Sequence, residues 1–165
     1  MRSLLHVVQT FPRSGTGRLA AWKMARMSSW ITTSPVVYPA LEVVHITGIA
    51  LLVGNLVLVE LRVWGMGSTL PMQALARLGL TVSLIGFALA AGSGLVMFAS
   101  QAAELLANRA FVIKMGLLAL AGTNAVLFHA RGGLTRLDTL ARLQTALSLG
   151  LWLGVIICGR WIAYR

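Results

Sequence analysis

Acidic residues and cysteine are scarce in this sequence of 165 residues. It has four Asp and Glu residues in all and a single cysteine, Cys158. One cysteine excludes an intrachain disulfide and any CxxC motif for metal or redox chemistry. So few carboxylates argue against hydrolysis by a two-carboxylate mechanism. The chain also lacks an HExxH motif, a phosphate-binding loop and a GxSxG motif. The sequence therefore predicts no enzyme that works by itself with these common catalytic motifs.

Charged residues of both signs together make up 11% of the chain, against about a quarter in an ordinary soluble domain. Apolar residues reach 58%, and the mean hydropathy is +0.83, which indicates a membrane protein. The net charge of +10 comes from basic residues in the N-terminal tail and at the ends of apolar runs, where Lys and Arg reach lipid headgroups. Because no aromatic-basic recognition motif accompanies them, we expect no nucleic acid partner.

The chain divides into a basic tail, residues 1–35, and a transmembrane domain, residues 36–165. The tail carries five Lys and Arg residues and no acidic residue before Glu42. Residues 19–31 combine such cations with Trp22 and Trp30, which predicts an interfacial amphipathic helix that contacts anionic lipid. An organelle transit peptide is an alternative for this acid-poor segment.

Four apolar segments are long enough to cross a bilayer. They predict an all-α fold, an antiparallel up-down transmembrane four-helix bundle with spans at about 41–62, 78–100, 111–130 and 143–163. Pro39 should precede the first span, and residues 71–77 should form a separate surface turn. Two rows of small residues, Gly86-Ala90-Gly94 and Gly150-Gly154, should allow close helix packing. An even number of spans puts both termini on one side, and the basic tail favours the cytoplasmic side.

Polar residues of the first span fall mostly on one helical stripe that includes Glu42, His45 and Asn55. Antiparallel order places Lys114 and Arg160 at the depth of Glu42 and His45, so a buried ion pair or hydrogen-bonded network is expected there. Simple anchoring of helix ends among headgroups is the alternative. A second polar group is expected on the third span. The complete predicted intramembrane network is Glu42, His45, Asn55, Lys114, Asn124, His129 and Arg160.

Three segments resemble a bacterial family of four-span membrane proteins of unknown function. They are YPALEVVHITGIALLVG (38–54), NRAFVIKMGLLALAGTNAVLFH (108–129) and GRWIAY (159–164). The resemblance covers residues 27–165 and implies a four-helix membrane bundle in the bacterial inner membrane, without implying an activity. The family is in turn similar to copper-resistance membrane domains and to small haem-linked membrane bundles, which also place a His early in one span and a Lys at the start of a later one.

Three functions remain open from the sequence. The first is a non-catalytic accessory or assembly subunit of a larger membrane complex, with a redox or energy-transducing complex as one candidate. The second is a haem b or metal-binding electron-transfer subunit with His45 as ligand and Met97 as second ligand. In this function Lys114 or Arg160 would pair with the haem propionates. Gly48 and Gly94 would allow the macrocycle to approach the helix backbones closely. The third is a transporter of a small solute or metal that uses mid-membrane Asn55 and Asn124.

Overall fold

A computed structural model of the chain describes Trp30, residues 34–162 and Tyr164. Between residues 34 and 162 it contains six helices and no strand. In chain order they are α1 (Val37–Val63), α2 (Met72–Ser100), α3 (Ala102–Ala107), α4 (Arg109–Ala130), α5 (Gly133–Arg136) and α6 (Thr139–Ile162). The predicted interfacial helix over residues 19–31 lies outside the described residues, apart from Trp30.

Four of these helices, α1, α2, α4 and α6, are long and apolar enough to cross a membrane. They contain 27, 29, 22 and 24 residues. At a rise of about 1.5 Å per residue, even the shortest is about 33 Å long, which exceeds the hydrocarbon thickness of about 30 Å. The predicted all-α fold with four spans is therefore confirmed, and the chain has the architecture of a small multi-pass membrane protein.

The spanning helices begin earlier than the hydropathy pattern predicted. α1 begins at Val37 rather than at residue 41, so Pro39 lies in its first turn, where a missing N–H breaks no intrahelical hydrogen bond. α4 and α6 begin at Arg109 and Thr139 rather than at residues 111 and 143. The added residues include proline, arginine and other polar side chains, which a hydropathy pattern leaves out of a span although they continue its helix.

The predicted separate surface turn over residues 71–77 is wrong. Pro71 is the N-cap residue, in an extended conformation with ψ 115°, and α2 then continues without a break from Met72 to Ser100. Residues 72–78 are all good helix formers, with no glycine or proline that could end the first turns. The side chain of Arg77 is exposed, so the charge does not interrupt the helix.

Glycines and one arginine shape the connection between α1 and α2. Gly65 and Gly67 have positive φ angles of 96° and 63°, a conformation that glycine adopts without steric cost. Arg62 donates hydrogen bonds from Nε to the Leu70 carbonyl oxygen (3.0 Å) and from Nη2 to the Ser68 carbonyl oxygen (3.2 Å). Arg62 therefore holds this connection and is not available to the bundle interior.

The four spans pack as two hairpins. The most extensive contact joins α1 to α2, the next joins α4 to α6, and a smaller contact between α1 and α6 connects the two pairs. In the first hairpin the backbones touch, because a Cβ on Gly48 would lie 2.6 Å from the Ala90 nitrogen and one on Gly86 would lie 2.6 Å from the Leu52 nitrogen. The predicted small-residue row on α2 thus packs within the chain. In the second hairpin Gly154 faces Leu117, whereas Gly150 faces open space.

Candidate functional site

His45 lies on α1 and turns its ring towards α2. Its Nδ1 atom is 2.8 Å from the Ala90 carbonyl oxygen and 3.2 Å from Ser93 Oγ. A carbonyl oxygen can only accept, so Nδ1 carries the proton and Nε2 carries the lone pair. Gly94 makes room for the ring, since a Cβ there would come within 3.1 Å of the His45 Cε1 atom. The imidazole is therefore held in one tautomer by the neighbouring helix.

The structure does not bring Glu42, His45, Lys114 and Arg160 together as a network. Glu42 is exposed, and the ion pair found in the described part of the chain is Arg131–Asp138, with a distance of 3.3 Å. Lys114 instead faces α6, where its Nζ atom is 3.5 Å from the position of a Cβ on Gly159.

Arg160 turns to its own chain terminus. It donates a hydrogen bond from Nη2 to the Tyr164 hydroxyl (2.6 Å) and places its guanidinium 4.8 Å from the centre of that ring. The hairpin arrangement explains why the network does not form: His45 belongs to the α1–α2 pair, whereas Lys114 and Arg160 belong to the α4–α6 pair. A shared depth in the membrane brings Lys114 within electrostatic range of His45, but no hydrogen bond or ion pair joins the two helix pairs at these residues.

The space predicted for a haem macrocycle is filled by the protein itself. Gly48 packs on the backbones of Gly86 and Ala90, and Gly94 packs on the His45 ring. Met97 lies one turn beyond Gly94 on α2. Among the described residues no three His, Cys, Asp or Glu side chains converge to hold a metal ion. The ring orientation of His45 suits a ligand, but the surrounding residues do not fit a haem group.

The remaining predicted polar residues make local or interhelical hydrogen bonds. Asn55 Nδ2 donates to the Leu51 carbonyl oxygen of its own helix (2.8 Å), and Asn124 Nδ2 donates to the Gln144 carbonyl oxygen of α6 (2.9 Å). His129 is exposed, and its Nδ1 is 2.9 Å from the Ala125 carbonyl oxygen. Asn124 therefore joins the second hairpin, and both amides expected to line a transport path donate to backbone carbonyls.

A second polar layer, which sequence reasoning missed, lies near the opposite end of the bundle. We call it the Glu60 layer, and it consists of Glu60, Trp64, Gln144, Thr145 and Ser148. Glu60 is 5% exposed, and Ser148 of α6 is the side chain that interacts with its carboxyl group. Four residues after Glu60, at the C-cap of α1, Trp64 Nε1 donates a hydrogen bond to Thr145 Oγ1 (2.7 Å). These two pairs hold α1 against α6.

Two acceptor oxygens in the Glu60 layer are buried without a hydrogen-bond partner, Glu60 Oε2 and Gln144 Oε1. Such groups are rare inside proteins and usually mark a functional feature or an unseen ligand or water. Gln144 and Ser148 are four residues apart and so share one face of α6. The layer thus contains two buried oxygen acceptors that none of its own donors reaches.

A sequence signal for Glu60 existed but was not used. Glu60 lies eight residues after Leu52 and one after Val59, so it continues the buried stripe of α1. Neither Leu56 nor Trp64, one turn away on each side, can form an ion pair with it. An acidic residue on an apolar stripe without a basic neighbour is the pattern of a buried carboxyl group.

Asp138 caps α6 just outside the membrane-spanning helices. Its Oδ1 atom accepts a hydrogen bond from the Ala141 backbone N–H (2.8 Å), the pattern of an N-cap residue. This hydrogen bond, together with the nearby charge of Arg131, lowers the pKa of the Asp138 carboxyl group. Asp138 therefore has a structural role, since it caps the N-terminus of α6 and pairs with Arg131.

The fold and its two polar regions define the class of this protein as a small multi-pass membrane protein with a helical bundle. No protein-family model matches the chain, and no curated protein or solved structure matches it significantly. The resemblance to a bacterial four-span family therefore stays a prediction that depends on the three segments quoted above.

Proposed function

We propose that this protein is a non-catalytic accessory or assembly subunit of a larger membrane complex. The observation that carries the proposal is a set of glycines in the spanning helices at which an added Cβ would meet nothing within 4 Å. Each of the four spans has at least one. They are Gly54 in α1, Gly92 in α2, Gly116 and Gly122 in α4, and Gly150 in α6.

Open glycines support association with other helices because of how helices associate in lipid. Lipid tails are as apolar as leucine, so close backbone packing at small residues contributes much of the attraction between spans. This chain already uses that contact between Gly48 and Gly86. The five open glycines offer similar small-residue surfaces on the outside of the bundle, where helices of another subunit can approach.

The proposed setting follows from the sequence. We place the protein in the bacterial inner membrane with both termini on the cytoplasmic side, because the basic tail favours that side and attracts anionic lipid. Its partners in this proposal are other membrane subunits and lipid. The resemblance to a bacterial family supports the choice of membrane.

Native gel analysis after mild detergent extraction from the natural host tests the assembly role. We expect the wild-type protein in a band larger than its own oligomers, and we expect leucine at one or more of the open glycines to release it. A Cβ at these exposed positions meets nothing within 4 Å, so the leucine variants should fold. The matched control for Gly116→Leu is Ala125→Leu, because Ala125 is exposed and lies about 180° around α4 from Gly116. It is no control for Gly122→Leu, since residues three apart share one helix face. A wild-type protein that runs only as monomer or simple homo-oligomer contradicts the proposal.

Haem b binding through His45 is the alternative that one observation favours. The hydrogen bond from Nδ1 to the Ala90 carbonyl oxygen leaves Nε2 as the nitrogen that could bind iron. The occupied space at Gly48 and Gly94 argues against it. An absorption spectrum of protein purified after haem-replete expression separates the two: the accessory role predicts no Soret band, whereas a Soret band that is lost in His45→Ala would establish the alternative.

A further inference from the structure

Glu60 is a carboxyl group in the interior of the bundle without a charged partner. It lies three residues before the end of α1 at Val63 and is 5% exposed. Its Oε2 atom is buried and has no hydrogen-bond partner. Ser148 of α6 is the side chain that interacts with the carboxyl group. The assembly role proposed above neither uses nor explains this group.

Among the described residues, no charged group on the surrounding elements forms an ion pair with Glu60, although the Nε atom of Arg131 is buried without a partner. On α1 itself, Arg62 donates to carbonyl oxygens of the connection to α2. At the end of α4, Arg131 pairs with Asp138, and His129 is exposed. The other charged side chains of α2, α5 and α6 at this end are exposed as well, and they are Arg77, Arg136 and Arg142.

An ionised carboxylate in such a place is strongly unfavourable. Moving an isolated carboxylate from water to an apolar interior costs so much that the group takes up a proton instead. A neutral carboxylic acid also supplies one O–H donor. Glu60 Oε2 and Gln144 Oε1 are both buried without a hydrogen-bond partner, so a proton on the Glu60 carboxyl group removes the negative charge and adds one O–H donor to the layer.

A metal ion suits the layer less well than a proton. Calcium and magnesium take about six or more oxygen ligands. Glu60, Gln144 and Ser148 together offer four side-chain oxygens, and no group of three metal-binding side chains is found among the described residues. A proton needs only one oxygen atom.

We propose that Glu60 is a proton-binding site inside the membrane domain, where its carboxyl group stays protonated at neutral pH between α1 and α6. The proton sits on the carboxyl group beside Ser148, within one helical turn of the α1–α2 connection. The class of ligand is the proton itself. The site gives this membrane domain one exchangeable proton that no ion pair holds.

Infrared difference spectroscopy of the full chain tests the proposal directly. The spectrum of wild type minus Glu60→Gln at neutral pH should show the carbonyl stretch of a protonated carboxyl group, and that band should be lost completely in the variant. Glutamine has the shape of the neutral acid, so Glu60→Gln should fold and keep the wild-type melting temperature. A difference spectrum with the carboxylate stretch instead overturns the proposal.

Chemical labelling provides a second measurement that does not depend on a spectral assignment. A membrane-soluble carbodiimide adds to a protonated carboxyl group: the carboxyl oxygen bonds to the carbodiimide carbon, and the acid proton moves to its nitrogen. Mass spectrometry should then locate the adduct on Glu60 at neutral pH, with much less on the exposed Asp138 and none at position 60 of Glu60→Gln. The labelling is measured both in membranes and in protein opened by detergent. If Glu60 is labelled no more than Asp138 in both, the site is not protonated and the proposal is wrong.

Discussion

Replacing Gly48 by alanine should weaken the contact between α1 and α2. The new Cβ would lie 2.6 Å from the Ala90 nitrogen and 2.7 Å from the Gly86 carbonyl oxygen, where ordinary contacts begin at 3.4 Å. Both opposing atoms belong to the backbone, so no side-chain rotation relieves the overlap. The two helices must therefore separate by several tenths of an ångström along the whole contact.

The magnitude follows from two opposing effects. Overpacking of this kind typically costs about 1–3 kcal/mol, and a gap of about 0.5–1 Å forfeits a quarter to a half of each affected van der Waals contact. Alanine recovers about 1 kcal/mol through its higher helix propensity. We therefore expect Gly48→Ala to lower the free energy of unfolding by up to about 2 kcal/mol.

Gly54→Ala is the matched control for Gly48→Ala. It makes the same chemical change on the same helix, and a Cβ at Gly54 would meet nothing within 4 Å. The control should be neutral or stabilising by up to about 1 kcal/mol. Unfolding in mixed detergent micelles, followed by circular dichroism, measures both variants. Equal changes in the two variants would refute the backbone contact between α1 and α2.

Three further predictions concern the end of the bundle where α1 connects to α2 and α4 connects to α6. Trp64→Phe removes the donor to Thr145 and should lower the free energy of unfolding by about 1 kcal/mol, whereas Trp64→Phe in a Thr145→Val background should cost clearly less. Asn124→Leu removes the hydrogen bond to the Gln144 carbonyl oxygen and should cost about 0.6 kcal/mol in the same assay; no change would mean that this bond does not join α4 to α6. The hydrogen bond from the Ala141 N–H lowers the pKa of Asp138, so the ionised carboxylate stabilises the folded protein. This stabilisation is present above the ordinary carboxyl pKa of about 3.9 and is lost as the pH falls through the lowered pKa. Below about pH 4, the melting temperature of the wild type should therefore fall more than that of Asp138→Asn.

The spans could be predicted because the bilayer sets a simple requirement. Each crossing needs about 20 apolar residues, and the hydropathy pattern finds them even though α1 and α6 begin several residues earlier. Close packing at Gly86 and Ala90 was also predictable from the spacing of small residues. The extension of α2 to Met72 was not, because the pattern marks the apolar core and leaves out polar first turns.

The candidate sites were less accessible to sequence reasoning because depth in the membrane does not determine which helices pair. His45 and Lys114 share a depth, yet the helix pairs place His45 on Ala90 and Lys114 beside Gly159. The burial of Glu60 depends on the contact of α1 with α6, helices that are separated along the chain by four others. The local pattern around Glu60 indicates a buried carboxyl group but does not indicate which helix covers it.

The contact between α1 and α6 also determines when, during synthesis, the polar groups of the Glu60 layer can meet their partners. The first hairpin can close as soon as α2 has entered the membrane, since its contacts are with the preceding helix. Glu60 and Trp64 must wait until Ser148 and Thr145 of the last helix arrive. A nascent chain that stalls before α6 therefore presents an unshielded carboxyl group and indole N–H, two features by which membrane quality control could recognise an unfinished protein.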